Sequence, residues 1–142
     1  IIFSACACSL SGSAQNRYFF HLDDDSFESY TFSELDEMVT SNGRKLEELR
    51  NKQVRGLGTI YSVSGPCETN WDVDPITGEK TPIGWEVTIK LDDGMTIIYR
   101  PDSPEGISLY SGDEVFFIGE AQGATKILVW TGYDSSHKLE VQ

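Results

Sequence analysis

Three cysteines, Cys6, Cys8 and Cys67, and two histidines, His21 and His137, are the side chains of this 142-residue chain best suited to covalent or acid–base chemistry. Their spacing offers little to a metal. Cys6 and Cys8 form a Cys-x-Cys with no second pair and no neighbouring histidine to complete a tetrahedral set. His21 follows an aromatic run and His137 ends Asp134-Ser135-Ser136-His137; neither neighbours a convincing nucleophile or a carboxylate pair. No nucleophile elbow or phosphate-cradling glycine loop occurs. Catalytic groups do meet from distant segments, but general bases are scarce here. The chain is expected to be non-catalytic and to use no cofactor. Asp72, Asp74 and Glu79 are candidate oxygen ligands for a cation, yet Asp74-Pro75-Ile76-Thr77-Gly78 is a turn signal and no full ligand set is spaced around it. Asp23-Asp24-Asp25 lacks the alternating ligands and central glycine of a calcium loop and reads as a solvated acidic turn.

Phe3-Ser4-Ala5-Cys6 is a large apolar residue, two small ones and a cysteine. It resembles the lipobox of bacterial envelope lipoproteins, which are cut before that cysteine and acylated on it. The resemblance implies Cys6 as a lipidation site and Ser9–Asn16 as a polar tether. Gly12-Ser13-Ala14 offers a conventional small-x-small cleavage site instead. Both readings imply export, to the cell envelope through a lipid anchor or to the extracellular space. A third makes Ile1, Ile2, Phe3 and the residues after them an apolar arm that pairs with a sheet edge of this chain or a neighbour. A lipid on Cys6 leaves Cys8 and Cys67 to pair as a disulfide; a free Cys6 leaves one thiol over, or all three cysteines stay reduced. The run Ile1–Ala7 is far shorter than the ~20 residues that span a bilayer. A membrane is therefore reached only through acylated Cys6.

The formal net charge is −12, from 23 acidic and 11 basic residues. Residues 1–53 carry nine acids to five bases, and residues 54–142 fourteen to six. Such a chain repels phosphate backbones. It also has no Lys/Arg cluster backed by stacking aromatics, so nucleic acid is not expected as a partner.

Arg17–Leu22 is aromatic-rich and reads as a short strand. Thr31–Gln53 reads as helix: Ser33 is placed to cap it, Asp36 and Glu37 suit its positive end, and Leu35, Met38, Val39, Leu46 and Leu49 form one apolar stripe. Asn42-Gly43 in its middle is a turn signal, which leaves one helix or two open. Five glycine-punctuated strands follow: Val54–Ser64, Trp85–Leu91, Met95–Arg100, Glu114–Gly119 and Lys126–Trp130. Gly56 and Gly58 share one face of the first, marking a bend or a close backbone approach. Asp92-Asp93-Gly94 closes a tight hairpin. The domain plan is a 1–22 arm or tether, a 23–53 acidic turn and amphipathic helix, a 54–133 barrel and a 134–142 tail.

The Gly-x-Gly strand, the Asp-Asp-Gly hairpin and the run Gly112-Asp113-x-Val115-x-Phe117-x-Gly119 together resemble the oligonucleotide/oligosaccharide-binding (OB) fold over residues 53–131. The resemblance implies a mainly β chain with a five-stranded OB-like barrel, preceded by the helix and an extended arm. The proline-rich Pro101–Ser111 is too short for the helix that family places before its fourth strand. The work expected of such a domain is protein–protein contact or assembly, as a homo-oligomer, a filament or a lipid-anchored accessory subunit. Ile1, Ile2, Phe3, Tyr18, Phe19, Phe20 and Trp71 are the candidate interface residues. A module binding a small molecule or glycan on the barrel face is the alternative, and nucleic acid binding the third.

Overall fold

The computed structural model describes residues 16–23, 26–41, 43–103, 108–131 and 136–142, apart from the side chains of Asn70, Trp71, Pro82 and Ile83. Its elements in order are strands β1 (Arg17–Asp23) and β2 (Ser26–Thr31), helices α1 (Phe32–Ser41) and α2 (Gly43–Leu49), and strands β3 (Gln53–Val73), β4 (Lys80–Leu91), β5 (Thr96–Arg100), β6 (Glu114–Ala121), β7 (Lys126–Trp130) and β8 (Lys138–Val141). The strands form one sheet in the order β2-β1-β3-β4-β5-β7-β6-β8, and β6 also pairs with β3. The pairings thus return on themselves: β3 to β4, β4 to β5, β5 in parallel to β7, β7 to β6, and β6 to residues 53–59 of β3. This is a mainly β chain compatible with a barrel-like fold.

Five strands undercount this sheet. Ser26–Thr31, expected within an acidic turn and helix lead, is β2, and Lys138–Val141, expected in a tail, is β8. β1 is seated between β2 and β3. β3 runs nine residues beyond its expected end, pairing with β4 up to Val73↔Lys80 across two register shifts. Helix is described on both sides of position 42, which itself lies outside the described residues, and the cap of the first is Thr31 and not Ser33. Thr31 Oγ1 accepts from the Glu34 N–H at 3.2 Å, and the Thr31 N–H donates to Glu34 Oε1 at 2.8 Å, a reciprocal capping box. Leu35 and Leu49 are buried and Met38 and Leu46 partly so, whereas Val39, assigned to the same stripe, is exposed.

One core serves the strands and both helices. Its central side chain is Tyr18, which is fully buried. A Cβ on Gly56 would come within 2.9 Å of both the Tyr18 and Phe117 rings, and one on Gly58 within 2.7 Å of Leu91. The two glycines therefore act as notches that admit large side chains against the backbone of β3. The Tyr18 ring passes Phe117 at a centroid distance of 6.0 Å. Its hydroxyl then donates to Asp93 Oδ2 at 2.6 Å, 75 residues away. Asp93 Oδ1 accepts the Met95 N–H at 3.0 Å, so the same carboxylate shapes the β4–β5 turn. Gly94, at φ 111°, lets that turn lie under the Phe32 ring of α1. Burial, and then the Asp93 carboxylate, push the Tyr18 phenol well above its usual range, keeping it a neutral donor.

Two substitutions test this arrangement by chemical denaturation. Tyr18→Phe leaves the Asp93 carboxylate without its phenol donor and is expected to cost about 1.5–3 kcal/mol. Gly56→Ala forces a methyl against two aromatic rings and is expected to cost about 1–3 kcal/mol. Wild-type stability in both variants would refute the notch.

Candidate functional site

Alternation along the strands sends Tyr18, Phe20, Val54, Gly56, Val115 and Phe117 inward. The intervening residues must then share the opposite side of the layer β2-β1-β3-β6-β8. The register lines them up in rows. One runs Ser29, Phe19, Arg55, Ile118, Lys138; a second runs Leu57, Phe116, Glu140; a third runs Phe27, His21, Gln53, Glu120. Phe19, Phe27 and Leu57 are all more than a third exposed, at 42%, 46% and 40%. Phe116 and Ile118 are partly covered between them. Asn16, Arg17, Phe19, Arg55, Gly56, Leu57 and Phe116 line a shallow cleft of about 450 Å³.

Cations border this apolar surface. The Arg55 guanidinium lies 5.5 Å from the Phe27 ring centroid, and Lys138 Nζ lies 5.7 Å from that of Phe116. Arg17 donates to Ser29 Oγ at 3.1 Å and Ser29 O at 3.0 Å and reaches Glu34 at 3.5 Å. Lys138 pairs with Glu140 at 3.3 Å. Arg55 donates from Nη2 to the neutral Gln53 Oε1 at 3.0 Å, and its Nε is buried without a hydrogen-bond partner.

The strand carrying Phe27 and Ser29 is held to α2. Lys45 Nζ donates to Glu28 Oε1 at 2.7 Å and Oε2 at 3.0 Å, and lies 3.3 Å from Glu48. The Tyr30 hydroxyl donates to Glu28 Oε2 at 2.8 Å. These donors, Lys45 first, hold the Glu28 carboxyl below its usual range, and the Glu28 carboxylate in turn keeps the Lys45 ammonium above its own.

Of the interface candidates whose side chains are described, Phe19 lies on this face and Tyr18 and Phe20 do not. Tyr18 and Phe20 are core residues with no exposed surface, a correction that follows from strand parity. Trp71 belongs to β3, opposite Pro82, and its side chain lies outside the described residues, as do Ile1, Ile2, Phe3, Cys6 and Cys8 entirely. Cys67 is an exposed thiol. Asp72, Asp74 and Glu79 border a second cleft, of about 500 Å³, at the tip of the β3–β4 arm. There Asp74 Oδ1 accepts the Ile76 and Thr77 N–H groups at 2.8 and 3.4 Å, the bonds that hold its carboxyl below the usual range. Among the described residues no group of three or more His, Cys, Asp or Glu is arranged to hold a metal ion. The histidines face different partners. His21 lies 4.8 Å from the Phe27 ring, and His137 stacks on Trp130 at 3.6 Å, with Ser136 Oγ 2.9 Å from its Nδ1.

Arg55, Leu57, Phe27, Phe116, Ile118 and Lys138 are absent from the sequence-based set. A signal for two of them was present: Gly56 and Gly58, read as points of close approach, mark the inner side of β3 and put Arg55 and Leu57 on the outer one. No family model, no curated protein and no solved structure matches this chain.

The Glu28 clamp has a pH signature. A carboxyl whose folded pKa is depressed stabilises fully above its unfolded value and loses that contribution as pH falls through the folded one. The stability difference between wild type and Glu28→Gln is therefore expected to be constant near neutrality and to shrink below the ordinary glutamate value of 4.5. A difference that stays constant to the acid limit would refute the clamp.

Proposed function

We propose that this chain is a non-catalytic protein-contact module that docks on a partner, a second copy of itself included, through the outer face of β2, β1, β3, β6 and β8. The carrying observation is the gathering of Phe19, Phe27 and Leu57, half exposed, with Phe116 and Ile118 on adjacent rows of one face. Other large apolar side chains are exposed elsewhere: Val39 on α1, Tyr61, Tyr110 and Val141, and Val73 with Ile76 beside the arm-tip cleft. Aromatic and arginine side chains are the residues on which protein interfaces concentrate their binding free energy.

In this reading the circuit β3-β4-β5-β7-β6 is an OB-like barrel, with β1, β2 and the helices added on one side. The antiparallel pairing of β3 with both β4 and β6, and the parallel β5–β7 pair, support it. The chain works outside the cytoplasm, held at an envelope by lipid on Cys6 of its lipobox-like segment. No helix among the described residues is long and apolar enough to cross a membrane.

The contact reading is tested by photo-crosslinking of the full chain in the cells that express it. A p-benzoylphenylalanine in place of Leu57 is expected to form protein adducts. The same replacement at Val39, on the helix layer, is expected to form none. Equal adducts from both positions, or none from position 57, would overturn it. Intact mass of the chain from the same cells checks the anchor: a diacylglyceryl group on Cys6 is expected, and an unmodified Cys6 thiol refutes it.

A further inference from the structure

The Arg55 guanidinium lies over the Phe27 ring but meets no carboxylate among the described residues. It is half-buried on the apolar face, one N–H is spent on an uncharged glutamine, and Nε has no acceptor. This occurs in a protein with 23 acidic side chains. The neighbouring cations differ: Arg17 has Glu34 and Lys138 has Glu140. A half-desolvated guanidinium without a counter-charge gains most from an external anion that arrives with apolar surface, because the same contact that pairs the charge also excludes water around it. Phe19, Leu57 and Phe116 line the cleft beside Arg55 and supply that surface.

We propose that this cleft binds a peptide segment of a partner protein that presents a carboxylate next to a large apolar side chain. The carboxylate pairs with the Arg55 guanidinium, and the apolar group packs among Phe19, Leu57 and Phe116. The inference rests on reading this face as a protein-contact surface, and it names the chemistry of what that surface receives. Charge complementarity favours this occupant over the segment before Asn16, which carries no acidic or basic side chain.

The probes are the peptides acetyl-Phe-Asp-amide and acetyl-Phe-Asn-amide, titrated into the full isotopically labelled chain by NMR. The aspartyl peptide is expected to shift the Arg55 side-chain N–H and the amides of Phe19, Leu57 and Phe116, and to bind about fivefold more tightly than the asparaginyl one. Arg55→Gln should abolish that preference while keeping the residual apolar binding, and Phe19→Ser should weaken both peptides alike. Equal affinities, shifts elsewhere on the chain, or no shifts at millimolar peptide would overturn the proposal. Co-sedimentation with phosphatidylglycerol vesicles, lost in Arg55→Gln, together with failure of the peptide, would also overturn it and assign the cation to a lipid surface. Adducts from position 57 combined with equal peptide affinities would leave the protein-contact reading standing and remove only the carboxylate.

Discussion

The fold turns on a ring that fits only where a strand has no side chain. Tyr18 occupies the space that any Cβ at position 56 would take, packs against Phe117 and ends on the Asp93 carboxylate. Three segments distant in sequence are thereby fixed together: the first strand, the bend in β3 and the β4–β5 turn. None of the partners is replaceable alone. A larger residue at 56 expels the ring, and loss of the phenol leaves Asp93 with less than its full set of donors. Such a buried, satisfied polar contact discriminates between registers, because a slip of β1 by one residue would turn Tyr18 to solvent and bring Phe19 into the notch.

That dependence reaches the outer face. Strand alternation means that seating Tyr18 and Phe20 inward necessarily turns Phe19 and His21 outward. Gly56 and Gly58 do the same for Arg55 and Leu57. The apolar face is therefore tied to the core: the notch that stabilises the sheet also selects which side chains line the cleft. The Glu28–Lys45–Tyr30 clamp extends the arrangement to β2, which otherwise pairs with β1 alone and would present Phe27 from a loose edge.

Much of the β architecture was legible in the sequence because its signals are local. Strict alternation marks Trp85–Leu91 of β4, Asp92-Asp93-Gly94 marks its turn into β5, and the glycine pair marks the bend in β3. The missed elements lacked local signals. β2, Ser-Phe-Glu-Ser-Tyr-Thr, follows directly on the acidic Asp23-Asp24-Asp25 run, and what marks it as a strand is β1 beside it and Lys45 above it. β8 is similarly defined by its ladder with β6. Tyr18-Phe19-Phe20 was recognisable as a strand but not as a strand with two sides, since parity needs a register and the partner lies some 35 residues on, at Val54 to Gly56. For the same reason Arg55 was invisible as a site residue. Only pairing across four strands brings it into a row with Phe19, Ile118 and Lys138.

The net charge of −12 and the carboxylate-binding role proposed for the cleft are compatible because they act over different distances. At physiological ionic strength, repulsion between solvent-exposed charges fades over roughly 8 Å, whereas a guanidinium at contact acts within an ion-pair distance and under partial desolvation. The net negative charge of the chain raises the cost of approach for a strongly anionic partner, a nucleic acid above all, which gains affinity only by neutralising many phosphates at once. A single carboxylate carried on an apolar segment meets the cation without presenting a field for the rest of the surface to oppose. On the proposed reading, the chain's net negative charge would act as a filter, tolerating one negative charge delivered with hydrophobic area and rejecting many delivered without it.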